Sequence, residues 1–198
     1  MDLKFEKIKQ LASPYQDKRK DEGHAETVTN FAIKLLGLEK ADENIVIPAA
    51  ILHDIGWSQL PDEQRLIIWN PLAIKEEKKL VRFAHQEQGV KLAKQILEEI
   101  NYPQDKIKEI LEIISQHDTR QGFISKNEGL VRDADKLSRF SKNDLLTLRK
   151  QNKTKQELQK IYKKLQDQIN EENFFYSEKA KQIAREELKN RKNEIVKC

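Results

Sequence analysis

Apolar residues recur at three- and four-residue steps along almost the whole chain. Phe5, Ile8 and Leu11 form a first stripe that stops before Pro14, and Val28, Phe31, Ala32 and Leu35 mark a second helix ended by Gly37. A third, with Asp42 placed to cap it, runs through Ile45, Ala49 and Leu52 to a stop at Gly56. Pro48 inside it predicts a kink or a later start. A fourth helix is expected to open at His85, to continue through Leu92, Ala93, Ile96 and Ile100, and to end before Pro103. Asp105 would cap a fifth carrying Ile107, Ile110, Leu111 and Ile114, and Leu130, Ala134 and Leu137 give a sixth. Leu158, Ile161, Leu165 and Ile169, then Ala180, Ile183, Ala184 and Leu188, form two further stripes. No segment alternates with period two and no internal repeat stands out, so the pattern predicts an all-α fold. The longest irregular stretch runs from Trp57 to Ile74, with Pro61, Trp69 and Pro71 inside it. It reads either as a functional loop or as a connector whose two tryptophans plug the core.

Composition narrows the setting. The 198 residues are 37% hydrophobic and 35% charged, with a mean hydropathy of −0.80. No apolar run approaches the ~20 residues that cross a bilayer, and the opening Met1–Lys7 segment lacks the apolar core of a secretory signal. The one cysteine, Cys198, leaves no partner for an intrachain disulfide and is a poor candidate nucleophile, so a reducing, cytoplasmic setting is expected. The net charge of +4 is unevenly distributed. Residues 1–140 sum to −2 and residues 141–198 to +6. The basic lysines alternate with Glu, Gln and Asn and carry few aromatics, which argues against nucleic acid as a partner and for a solvated helix surface. The charge break suggests a domain over 1–140 followed by a basic helical extension over 141–198, packed on the same domain.

All four histidines, His24, His53, His85 and His117, fall on or beside predicted apolar faces, at the edges of four different helices. Alone, a histidine on such a face is usually a satisfied core residue. Four imidazoles in one core would be costly to desolvate unless their lone pairs were used, and a metal uses them.

Taken in order, His24, the pair His53-Asp54, then His85, His117 and Asp135 resemble the ligand pattern of the HD-domain superfamily, whose members include metal-dependent phosphohydrolases built as helical bundles. The segments Ala49-Ala50-Ile51-Leu52-His53-Asp54-Ile55-Gly56 and Arg132-Asp133-Ala134-Asp135-Lys136-Leu137 carry the likeness, which extends roughly over residues 20–140. The resemblance implies one metal held by His24, His53, Asp54 and Asp135, and a second held by His85 and His117, with the Asp54 carboxylate shared. It implies two divalent transition metals per chain, of iron, manganese, cobalt, nickel or zinc type. Asp135 rather than Asp133 is the expected ligand. Asp54 and Asp118 are the candidate catalytic carboxylates; Asp118 would orient a ligand, help a leaving group or merely cap a helix end. Lys136, Arg139 and Arg132 surround Asp135 and are candidates to grip a phosphate.

On this resemblance the expected activity is hydrolysis of a small phosphate ester, a nucleotide being the favoured substrate class, by a metal-bound hydroxide. No Gly-rich phosphate loop or nucleophile elbow competes with that reading. The ligand set alone does not separate it from a di-iron oxygenase of the same superfamily, nor from a bundle kept as a non-catalytic signalling module. The GYP tripeptide of the cyclic-dinucleotide phosphodiesterases is absent. The oligomeric state is not legible.

Overall fold

A computed structural model describes residues 2–70 and 72–196. Pro71 and Cys198 lie outside the described residues. Among those described there are ten α-helices and no strand. They are α1 (Leu3–Ala12), α2 (His24–Leu36), α3 (Glu43–Leu52), α4 (Asp62–Leu66), α5 (Lys75–Glu99), α6 (Gln104–Gln116), α7 (Lys126–Ser138), α8 (Lys142–Lys150), α9 (Lys155–Ile169) and α10 (Glu178–Val196). Short side chains start several of them. Asp42 accepts from the Asn44 N–H at 2.9 Å, Ser125 from Glu128 at 3.1 Å, and Thr154 from Glu157 at 3.2 Å. Each meets a backbone donor that the first helical turn leaves without a partner.

Three elements depart from the expected pattern. The fourth predicted helix begins ten residues early, at Lys75 instead of His85. Its first turns are charged and carry no apolar stripe, while Glu77 accepts from the Ile74 N–H at 3.0 Å and stabilises the earlier start. His85 therefore sits in mid-helix. Helix α8 has only Leu145 buried, too little periodicity to be seen. The Trp57–Ile74 stretch is ordered into α4 and two 3₁₀ turns, Ile55–Gln59 and Ile67–Trp69. Trp57 is buried, whereas Trp69 is 62% exposed and plugs nothing.

Helix α3 is the axis of the bundle. Every residue from Ile45 to Leu52 is buried, so it is apolar on all sides, as an enclosed helix must be. Helices α1, α2, α6 and α7 pack around it, and α5 packs on α6 and on the 55–59 turn. Pro48 interrupts its hydrogen-bond ladder, since proline has no N–H to offer the Asn44 carbonyl. The Tyr102 hydroxyl takes that place and donates to Asn44 O at 2.8 Å. Where the 55–59 turn meets α5, a Cβ on Gly56 would lie 1.9 Å from the His85 carbonyl oxygen and 2.4 Å from the Gly89 nitrogen. Only glycine permits that backbone contact.

The basic C-terminal helices join the same core: Leu165, Ile169, Phe175, Ala180, Ile183 and Ala184 are buried in one cluster with α3 and α7. A cavity of about 600 Å³ lies between α9 and α10, lined in part by Tyr162, Lys163, Arg185, Leu188 and Lys192, away from the histidines.

Candidate metal centre

His53 and His117 are positioned by the same local device. Each is the residue that closes a helix, α3 or α6, and each donates its Nδ1–H back to a carbonyl three residues earlier. His53 bonds Ala50 O at 2.8 Å and His117 bonds Ile114 O at 2.9 Å. A carbonyl can only accept, so the proton sits on Nδ1 and the Nε2 lone pair is turned to the centre. His24 is the first residue of α2. Its loop is held by Asp17, which accepts from Gly23 N at 2.7 Å and Ala25 N at 3.1 Å. His85 comes from α5 and is fully buried.

These rings and carboxylates fall into two groups, His24 with His53 and Asp135, and Asp54 with His85 and His117. Asp54 faces both through different oxygens. Its Oδ2 lies 3.4 Å from His24 Nε2 and 3.5 Å from His53 Nε2, while its Oδ1 lies 3.3 Å from His117 Nε2 and 3.6 Å from His85 Nε2. Asp135 Oδ1 is 3.4 Å from His24 and 3.8 Å from His53. Asp118 Oδ2 stands 3.8 Å from His85, 4.0 Å from His117 and 3.8 Å from the Arg82 Nε. The structure thus gathers all six of the predicted ligand residues, with Asp118 beside the second group.

The arrangement fits cations. Within the pairs, His24 and His53 approach Nε2 to Nε2 at 3.3 Å, and His85 and His117 at 3.5 Å. Two lone pairs turned on one another repel unless a proton or a metal lies between them. Donor atoms bound at about 2.0–2.2 Å to one transition metal sit about 3.0–3.5 Å apart, which matches both pairs.

The titration pattern is that of protons held in the same places. Burial disfavours charge on every ring, yet the Asp54 bond and the Asp135 charge raise His24 above its ordinary value. In the second group, burial is overcome by Asp54 and Asp118, and His117 is pushed up to about 9. Their partners go the other way: burial lowers His53, and burial with the neighbouring His117 charge brings His85 to about 3. Asp54 is held well below the carboxylate range against its burial, by Arg19 first and His53 next. Asp118 is lowered against burial by His117 and His85.

The two aspartates of the 132–137 segment separate cleanly. Asp133 turns away, is fully buried, and accepts from Tyr176 N at 2.7 Å and Ser177 N at 2.9 Å, capping the entry to α10. Burial raises its pKa to about 6 despite those bonds. Asp135, two residues on, faces the histidines. The cations expected to grip phosphate are engaged elsewhere or solvated. Lys136 donates to Phe174 O and lies over the Phe123 and Phe174 rings, with burial lowering its pKa to about 8. Arg132 donates to Gly122 O and to Arg120 O, and covers Phe123. Arg139 follows α7 and is exposed.

Two residues at the centre escape a reading by periodicity. Arg19, in the loop before α2, pairs with Asp54 Oδ2 and, at 3.0 Å, with Asp21 Oδ2. Trp57 donates from Nε1 to Asp54 Oδ1 at 3.0 Å and carries the Arg19 guanidinium 4.7 Å from its ring centre. Arg19 is the lone arginine among the first 64 residues, in a stretch rich in lysine. That choice of a planar fork over a point charge was the available signal.

The family model of the HD domain matches residues 22–139. A crystal structure of a protein described as a predicted HD superfamily hydrolase, from an uncultured Thermotogales bacterium, superimposes with a TM-score of 0.63 at 18% identity, over 98% of this chain and 88% of that one. No curated protein matches the sequence. The matched span is more than half of the chain and holds all six histidine and aspartate donors, and the chain belongs to the HD-domain family.

Proposed function

We propose that the protein is a metal-dependent phosphohydrolase that cleaves a small phosphate ester, with a nucleotide as the substrate class, at two divalent transition metals. The observation that carries this is the division of labour at Asp54, whose two oxygens face separate histidine pairs. One short carboxylate shared in this way suits two cations side by side and has little use in a single-metal site. His24, His53, Asp54 and Asp135 would hold one metal, and His85, His117 and Asp54 the other. When bound, such a pair supplies Lewis acidity toward a phosphoryl oxygen and lowers the pKa of a water.

The remaining work falls to the chain. Trp57 fixes the Asp54 carboxylate through Oδ1. The Nδ1 bonds of His53 and His117 keep both rings in one tautomer. Asp118, ionised and next to the second group, takes a proton at Oδ2 from the attacking water and returns it to the leaving oxygen. Helices α8 to α10, which end at Val196, serve as an extension that packs on the bundle beside α7.

Protein loaded with Mn²⁺, Co²⁺ or Ni²⁺ should release phosphate from at least one member of a nucleotide and phosphate-ester panel without oxygen, and Asp54→Ala should abolish the release. Turnover confined to the iron form in air, with oxygen consumed in proportion to substrate, would replace this reading by the oxygenase.

A further inference from the structure

Resting on the phosphohydrolase reading, we propose that Arg19 is the phosphate-binding residue of this site, releasing Asp54 to the metals and receiving an oxyanion of the substrate in its place. The Asp54 oxygen that Arg19 contacts is the same Oδ2 that faces His24 and His53. A cation bound there and the guanidinium compete for one oxygen. Once a metal neutralises that oxygen, the bond to Arg19 loses most of its electrostatic gain.

Arg19 does not leave the centre when that bond weakens. Its side chain is only 11% exposed, its Nη2 keeps Asp21 at 3.0 Å, and its guanidinium rests on the face of Trp57, 4.7 Å from the ring centre. Trp57 is in turn stacked on His85. The loop itself is pinned: Arg19 N donates to Asp21 Oδ1 at 3.0 Å, and Asp17 ties the chain to the start of α2. A guanidinium held at one edge and on one face can pivot over the centre but cannot depart from it.

It also carries an unmet demand. The Arg19 Nε–H is buried without a hydrogen-bond partner, which is unfavourable for a charged donor. A phosphoryl oxygen satisfies such a donor, and arginine's planar fork matches phosphate in two bonds at once. The surrounding charge gives the same direction. Asp21, Asp54, Asp118 and Asp135 all act on Arg19 electrostatically, so a phosphate entering this anionic surround needs a fixed cation at its edge. Lys136 and Arg132 are turned to backbone carbonyls and Phe123, and Arg82, 3.8 Å from Asp118, lies on the side of the second group.

The experiment is calorimetric titration of manganese-loaded protein with inorganic phosphate, for wild type, Arg19→Gln and Arg19→Lys, with bound manganese measured for each. Wild type should bind phosphate, and Arg19→Gln should bind it at least tenfold more weakly at unchanged manganese content. Arg19→Lys, which keeps the charge and loses the fork, should fall between them. Wild type and Arg19→Gln binding phosphate equally would overturn the role of Arg19 and leave the phosphohydrolase reading standing. Wild type failing to bind phosphate with manganese in place would overturn both. If Arg19→Gln does not fold, Arg19→Lys decides alone, and undiminished phosphate affinity in it overturns the proposal. Manganese loss that accounts for the whole phosphate defect would make Arg19 a positioning residue for Asp54 and would likewise overturn it.

Discussion

Trp57 lies flat on His85, with ring centroids 3.9 Å apart and planes 10° from parallel. The indole therefore does two things at once: it fixes the ring plane of a buried imidazole that has no partner at Nδ1, and it anchors Asp54 Oδ1 through Nε1. Trp57→Phe keeps the apolar bulk and loses the N–H. Metal affinity should fall about 10–100-fold, the range typical of residues that orient ligands, as read by competition with a chromogenic chelator. Tryptophan emission should respond to metal in the wild type and cease to respond in this variant, because Trp69 is exposed and distant in role.

Asp54 and His85 should differ in what their loss removes. Asp54→Ala strips an oxygen from both groups, so bound metal should fall toward zero after dialysis. His85→Ala touches only the second group and should leave about one equivalent. Elemental analysis of the two variants, loaded side by side, checks this, and equal metal content would contradict the assignment.

Asp133 and Asp135 make a paired test of fold against site. Asp133→Ala leaves Tyr176 N and Ser177 N without their acceptor at the entry to α10, and should cost about 2–3 kcal/mol in urea unfolding. Metal content at temperatures where the protein stays folded should change little. Asp135→Ala should show the reverse, with metal lost and stability of the metal-free protein nearly kept.

Tyr102→Phe tests the repair of the proline break. The Asn44 carbonyl, in the first turn of α3, loses its donor, and the partly buried acceptor left behind should cost about 1–2 kcal/mol. In a chain of this length that is roughly 2–8 °C in Tm. A Tyr102→Phe protein as stable as wild type would show that the Asn44 carbonyl does not depend on this hydroxyl.

Asp144 gives the pH dependence. Burial raises its pKa to about 7, against the charges of Arg139 and His24, whereas in the unfolded chain it titrates near 3.9. The folded state thus binds the extra proton between those values, and stability falls as pH rises through them. Below about pH 4 the carboxyl is neutral in both states and costs nothing. Asp144→Asn should accordingly match wild type near pH 4 and exceed it above pH 7, by about 1 kcal/mol or 2–4 °C in Tm. Differential scanning fluorimetry across that range reads the difference directly.

The helices of this fold were legible wherever one face is apolar. The stripes around Val28, Ile107 and Leu165 each correspond to a helix, because burial on one side imposes the period. The first turns of α5 were hidden, since Lys75 to Lys79 meet solvent and follow no period. The His and Asp donors could be named in order from the chain, but their meeting in space could not. Arg19 and Trp57 show the other limit. One sits in a loop and one in a short turn, where no period exists, and each is recognised only by its contact with Asp54.

The close approach at Gly56 has a consequence for which ion the centre accepts. With the 55–59 turn resting directly on the backbone of α5 at His85 and Gly89, no compressible side chain lies between the segment that follows Asp54 and the helix that carries His85. The placing of the 55–59 turn against α5 is therefore set by backbone contact. Transition metals bonded at about 2.0–2.2 Å fit between such walls. A calcium ion, which takes six to eight oxygens at about 2.3–2.6 Å, would have to push the two backbones apart. On the two-metal reading, ionic radius would therefore act as a filter beside the preference of imidazole for borderline metals.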